Sequence, residues 1–150
     1  MDWTYKEKVV NCHDDLLLLC EENPFGFIYC IHYVDGTVYY GKKNLHKKVT
    51  LPALKSGEQR PGSERKGKNI KGKRVYFDVV TKESDWLVYE GSSDKTEGLE
   101  ILSKEILLVA YSKRELTYQE AKCLFWEEAI ENKNCHNANI LKLFFRDNIK

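Results

Sequence analysis

The sequence predicts an α/β (α+β) fold: a small mixed or antiparallel sheet, opened by a β-hairpin and flanked by helices. Three observations carry this. Two runs rich in aromatic and β-branched residues, 26–34 and 37–41, flank Asp35-Gly36, a dipeptide suited to a two-residue type I′ turn. Residues 117–131 place Ala121, Leu124, Phe125 and Ala129 at helical spacing behind Thr117 and Glu120, the S/T-x-x-E pattern of a capping box. A length of 150 residues with 42% hydrophobic content is enough for one domain with its own core.

The elements follow in order. Residues 5–22 read as a helix, with Val9, Val10, Leu16, Leu17 and Leu19 apolar and Asp14, Asp15, Glu21 and Glu22 polar; Asn23-Pro24 ends it. Residues 1–24 are thus expected to be an N-terminal helical extension, and 25–150 the main domain. Strands at 26–34 and 37–41 form the hairpin. Residues 42–74 contain Pro52 and Pro61 with Gly57, Gly62, Gly67 and Gly72, and read as one long basic loop. Val75–Val80 reads as a short strand, and Trp86–Tyr89 as a helical turn stopped by Gly91. Residues 104–111 read as a strand and 117–131 as a helix. Then come a polar loop over 132–139 and a strand or short helix over 140–145.

Charge is distributed unevenly. Between Lys42 and Arg74 twelve Lys and Arg face two acids, while the rest of the chain has twelve basic and 21 acidic residues. A local positive field of this size attracts polyanions even though the whole molecule carries only +1. No apolar run approaches the roughly 20 residues of a membrane span, and Met1-Asp2-Trp3 does not begin a signal pattern, so no membrane partner and a cytoplasmic location are expected. The five cysteines contain no CxxC and match no common zinc spacing.

Gly26-Phe27-Ile28-Tyr29 and Tyr39-Tyr40-Gly41 resemble the two halves of the GIY-YIG nuclease motif. The resemblance continues through Trp86–Ser93, Lys104-Glu105-Ile106-Leu107, Tyr118-Gln119-Glu120-Ala121 and Asn137, in the order found in phage-encoded reading frames assigned as endonucleases of that superfamily. It implies a metal-dependent endonuclease that hydrolyses DNA phosphodiester bonds, in the host cytoplasm if the chain is phage-encoded. Tyr29 and Tyr39 match the motif tyrosines, near the scissile phosphate and attacking water, one acting as or assisting the general base. Such a base needs a cation or hydrogen-bond network, since free phenol titrates near pH 10. Glu120 matches the glutamate that holds one divalent ion, Mg2+ or alternatively Mn2+. Asn137 matches a late asparagine that positions the site or the phosphate.

The same resemblance implies an arginine soon after the second motif half, but the first after Gly41 is Arg60. Lys47 and Lys48 are the nearest basic residues at comparable spacing, and Arg60, Arg65 or Arg74 could reach in from the loop. Lys42, Lys43, Lys47, Lys48, Arg60, Arg65 and Arg74 are the expected nucleic-acid-binding set.

Each residue has a plainer reading. Tyr29 and Tyr39 could be packing residues, Glu120 the capping-box glutamate, Asn137 a turn residue, and Trp86 core. Glu120-Ala121-Lys122 also fits the E-x-K half of a restriction-type motif, with Asp78 as its aspartate. The alternative function is a catalytically degenerate module that binds nucleic acid or a host protein. A double-strand break by a chain with one metal site would need a homodimer or two encounters.

Overall fold

A computed structural model describes residues 1–149. In chain order the elements are β1 (Trp3–Tyr5), β2 (Lys8–Val10), α1 (His13–Leu17), β3 (Gly26–Tyr33), β4 (Val38–Asn44), β5 (His46–Pro52) and β6 (Glu64–Ile70). They continue with β7 (Lys73–Glu83), β8 (Ile101–Ala110), α2 (Lys113–Trp126), β9 (Asn139–Ile140) and β10 (Phe144–Phe145). The chain divides into two compact units, with His46–Ser84 inserted between Leu45 and Asp85 of the other. No helix among the described residues is long and apolar enough to cross a membrane.

The larger unit is built on a five-stranded sheet in the order β2-β1-β8-β3-β4. Only the β1–β8 pair is parallel. Residues 1–24 are therefore not a helical extension. Trp3–Tyr5 is an inner strand, and only the five residues of α1 are α-helical. The β1–β2 connection is Lys6-Glu7, both at positive φ (49° and 65°), a tight hairpin turn without the usual Asn or Gly. The β3–β4 turn also departs from type I′. The Gly36 N–H bonds the Tyr33 carbonyl and Gly36 alone has positive φ, so this is a three-residue loop with a glycine bulge.

Alternation gives the sheet two apolar faces. Trp3, Phe27, Tyr29, Ile31, Trp86 and Ile106 pack on one side. On the other, Ile28, Ala110 and Leu116 form one cluster, and Leu124, Ala129, Ile130, Cys135 and Ile140 form another. Trp86 is fully buried and belongs to the core. Each such large side chain contributes about 1.5–3 kcal/mol by leaving water. A register shift between Ile28 and Tyr29 lets β8 put Lys104 and Ile106 on the Tyr29 side and Leu108 and Ala110 on the α2 side.

The smaller unit replaces the expected loop over 42–74. It is an antiparallel sheet in the order β5-β7-β6. Asp78, fully buried on β7, accepts from Arg65 Nε at 2.7 Å and from Arg60 Nη1 at 3.0 Å. Burial works to raise the Asp78 carboxyl, but the two guanidinium groups outweigh it and hold it below the usual carboxylate range. This ion triad ties β6 and the β5–β6 connection to β7.

Candidate active site

The β3–β4 pairing sets Tyr29 opposite Gly41 and Ile31 opposite Tyr39. The Tyr29 ring lies across Gly41, so its hydroxyl and ring occupy the space where a Cβ on Gly41 would stand. Because β4 is the edge strand, the phenol can reach the rim of the sheet. Around it are Tyr39 (ring centroids 6.3 Å), Tyr89 (5.9 Å) and Trp3 (5.5 Å). Tyr89 acts on the Tyr29 phenol to raise it, and Ser92 acts on the Tyr39 phenol to lower it.

Burial is the main reason that the Tyr29 phenol is pushed far above its ordinary pKa; neighbouring Tyr89, Tyr39 and the Glu120 carboxylate add to it. Tyr39 is raised chiefly by burial, with the Glu120 charge again adding. No cationic group acts to lower either phenol, and a phenol raised above its ordinary pKa keeps its proton available for a hydrogen bond. Raised groups favour the fold fully below their ordinary pKa values and lose that contribution as pH climbs through the folded ones. Cys30, buried and pushed up to about 12, and Cys123, pushed up by burial to about 11, follow the same rule. The melting temperature is therefore expected to fall above about pH 9. Tyrosinate absorbance should rise together with the loss of circular dichroism, and tyrosinate formation in a still-folded chain would contradict this.

Glu120 comes from the opposite face. The cap of α2 is Ser112, whose Oγ accepts from Glu115 N at 3.1 Å, while Glu115 Oε2 accepts from Tyr111 N. The helix thus starts earlier than expected, and Thr117 and Glu120 lie inside it with no capping duty. Lys42 Nζ donates to Thr117 Oγ1 at 3.2 Å and stands 3.5 Å from Glu120 Oε1. Lys42 is on the face of β4 opposite Gly41 and Lys43, so β4 carries the tyrosine side and the glutamate side on its two faces. The Glu120 charge acts on both phenols, weakly beside the effect of burial.

Asn137, 5% exposed, bonds β4 through both ends of its amide, and its Oδ1 also accepts from the Cys135 thiol. Its Oδ1 accepts from Tyr40 N at 3.0 Å and its Nδ2 donates to Tyr40 O at 2.7 Å. With the Val38–Asn134 and His136–Val38 backbone bonds, it extends the ladder along the sheet edge. Asn137 therefore positions β4; its amide is not aimed at a phosphate. Removing it strands the Tyr40 N–H and C=O, so Asn137→Ala is expected to cost about 1–3 kcal/mol in urea denaturation. A variant of wild-type stability would refute this role.

Lys43 is committed as well, at 2.7 Å from Asp85 Oδ1 and 3.8 Å from the Tyr89 ring centroid. It clamps the chain where the inserted unit begins and ends. Lys47 and Lys48 are exposed on β5 of that unit, and Arg74 sits over Tyr76. Arg60 and Arg65 are both spent on Asp78, whose two oxygens are thereby occupied, so Asp78 is not a free ligand carboxylate.

Three residues escaped the sequence reading. Lys104, 1% exposed, donates to the carbonyls of Leu87 (3.1 Å) and Tyr89 (3.0 Å) and lies over the Trp3 ring. Trp3 Nε1 donates to the Trp86 carbonyl at 2.7 Å. Together they hold the segment that brings Tyr89 to Tyr29. Arg146 donates to the carbonyls of Ala129, Cys135 and Asn137 and holds the loop that carries Asn137. The signal for Lys104 was its parity with Ile106 in an apolar strand.

A motif hairpin at the edge of a mixed sheet, with a glutamate-bearing helix packed behind it, defines an α+β domain of the GIY-YIG class. The family model described as "Putative endonuclease segE, GIY-YIG domain" matches residues 3–149, and the chain belongs to that family. Comparison with curated proteins and with solved structures gives no match.

Proposed function

We propose that this chain is a metal-dependent DNA endonuclease whose site comprises Tyr29, Tyr39, Glu120 and Lys42. The observation that carries the reading is what β4 positions: the Tyr29 phenol crosses Gly41, and Glu120, freed from any cap, stands beside the next residue, Lys42. No group of three or more His, Cys, Asp or Glu that could hold a metal exists among the described residues. Glu120 offers a single carboxylate, the kind of donor that suits Mg2+ or Mn2+, which bind through one or two carboxylates completed by water and substrate phosphate. When bound at Glu120, such an ion would supply Lewis-acid stabilisation of charge on the phosphate and the leaving oxygen.

The chain's own residues do the rest. Tyr29 and Tyr39 donate hydrogen bonds that orient the attacking water or a phosphate oxygen. Lys42, partnered with Glu120 at 3.5 Å, is released to a phosphate once the carboxylate is otherwise engaged. Asn137 and Lys104 keep β4 and Tyr89 in place. Water adds to phosphorus and gives up one proton to solvent, and the sugar oxygen departs and takes one proton from solvent.

A second reading is favoured by one observation. Arg60 and Arg65, the arginines nearest the motif in sequence, are consumed by Asp78. A chain whose phosphate-holding groups are lysines alone could bind nucleic acid without cutting it. Plasmid cleavage with Mg2+ or Mn2+, comparing the wild-type chain with Glu120→Ala, separates the two. Metal-dependent cleavage lost in the variant supports the enzyme; binding without cleavage in the wild type supports the module.

A further inference from the structure

The inserted unit has its own charge balance: eleven Lys and Arg against four acids over 46–84. Its two sheet faces use that charge differently. One face carries the Asp78 triad, and Arg60, from the β5–β6 connection, donates to Asp78 and to the Pro52 carbonyl there. The cations that look strongest in the sequence are therefore spent inside the unit.

The other face follows from the register. Lys66 stands opposite Phe77, Lys68 opposite Val75, and Ile70 opposite Lys73. Lys48 lies on the same face, opposite Thr81. All four lysines are exposed. Among the described residues Lys48, Lys68 and Lys73 have no acidic partner, and Lys66 has only Glu64 at 4.0 Å. Lys66 and Lys68 are two residues apart on one strand, about 6.8 Å, comparable to the step between successive phosphates of a nucleic-acid strand. Like charges gathered on one face repel each other, and the acids the register places on this face, Glu64 opposite Val79 and Glu83 opposite His46, leave it with a net positive charge. Half-buried Val75 and Phe77 run between the lysine stems and give the alkyl chains an apolar bed.

We infer that this lysine face, centred on Lys66, Lys68 and Lys73 with Lys48, is a DNA-backbone-binding surface. It acts as a tether that takes no part in the chemistry. The inference rests on the nuclease reading only for the identity of its ligand. Phosphate contacts of this kind give affinity and salt dependence without sequence information.

The test measures binding of the full chain to a labelled duplex by fluorescence anisotropy in chelator, so that cleavage plays no part. Salt is varied between roughly 50 and 200 mM. The Lys66→Gln/Lys68→Gln/Lys73→Gln variant is expected to lower the slope of log affinity against log salt by roughly 3, near 0.9 for each lost phosphate contact. The matching triple Lys→Arg variant should keep the wild-type slope. A control with Lys113→Gln/Lys122→Gln/Lys133→Gln should also keep it. A glutamine triple that is folded by circular dichroism yet retains the wild-type slope overturns the inference, as does a control that loses as much. Because the readout is binding, loss of the tether and failure of the catalytic assignment remain distinguishable.

Discussion

Glu120→Ala is expected to reduce metal-dependent cleavage by roughly 10³-fold or more, the scale of several kcal/mol of transition-state stabilisation. It should leave the melting temperature within experimental error. The two expectations belong together. The plainer role for Glu120, capping a helix that starts at Thr117, would make it a stability residue. The helix instead starts behind Ser112, whose Oγ accepts from Glu115 N while the Glu115 carboxylate accepts from Tyr111 N. Glu120 keeps only a half-exposed partner, Lys42, and pairs of that kind contribute about 0–1 kcal/mol. DNA binding in chelator should persist or tighten, because an anion leaves the surface that phosphate approaches. Glu120→Gln preserves the shape and should be equally inactive. Retained cleavage in the alanine variant would remove Glu120 from the mechanism, and a large loss of stability would return it to a structural role.

How much of this was legible in the sequence depended on what held each element. β3 and β8 lean on a buried apolar face, so their residue types announced them. α2 was visible as a helix but misplaced at its start. Ser112 and Thr117 each precede a glutamate by three residues, and only packing decides between the boxes: starting at Ser112 brings Leu116 into the helix against Ile28. β1 and β2 were hidden because the Lys6-Glu7 turn lacks glycine or asparagine and the following Val9 and Val10 mimic a helix stripe. The inserted sheet was legible only in part. Val75–Val80 of β7 announced itself as a strand, but β6 alternates lysine with glycine and asparagine, and its tie to β7 is a buried ion triad that no apolar pattern signals. At the site, residue types were readable but directions were not. Tyr29 lies across Gly41 with Tyr39 beside it, and Glu120 stands at Lys42. Asn137 gives its amide to Tyr40, and Lys43 gives its charge to Asp85.

Gly41→Ala is expected to be the most damaging single-methyl change in the hairpin, and the reason is space. The φ of Gly41 is not positive, so its backbone is one that alanine adopts freely. The obstacle is the Tyr29 ring, which fills the position of the new Cβ. That ring cannot retreat, because Trp3, Phe27, Tyr39 and Tyr89 pack around it. Overpacking of this kind costs about 1–3 kcal/mol, and displacing the phenol from the edge should lower cleavage by at least roughly tenfold, since misplacement by 1 Å can cost 10²-fold. Tyr29→Leu removes the obstacle while leaving a smaller hydrophobe in the core. A cycle of the wild type, both single variants and the Gly41→Ala/Tyr29→Leu double variant therefore has a definite shape. The cost of Gly41→Ala should shrink in the Tyr29→Leu background, giving a coupling within the 0.5–3 kcal/mol range of residues in contact. Cleavage should stay lost in the double variant, because the phenol is gone. If the two substitutions prove additive in stability, the ring does not rest on Gly41 and the route of the phenol to the sheet edge must be abandoned. If the double variant regains cleavage, Tyr29 is a packing residue and the chemistry belongs to Tyr39 and Glu120 alone.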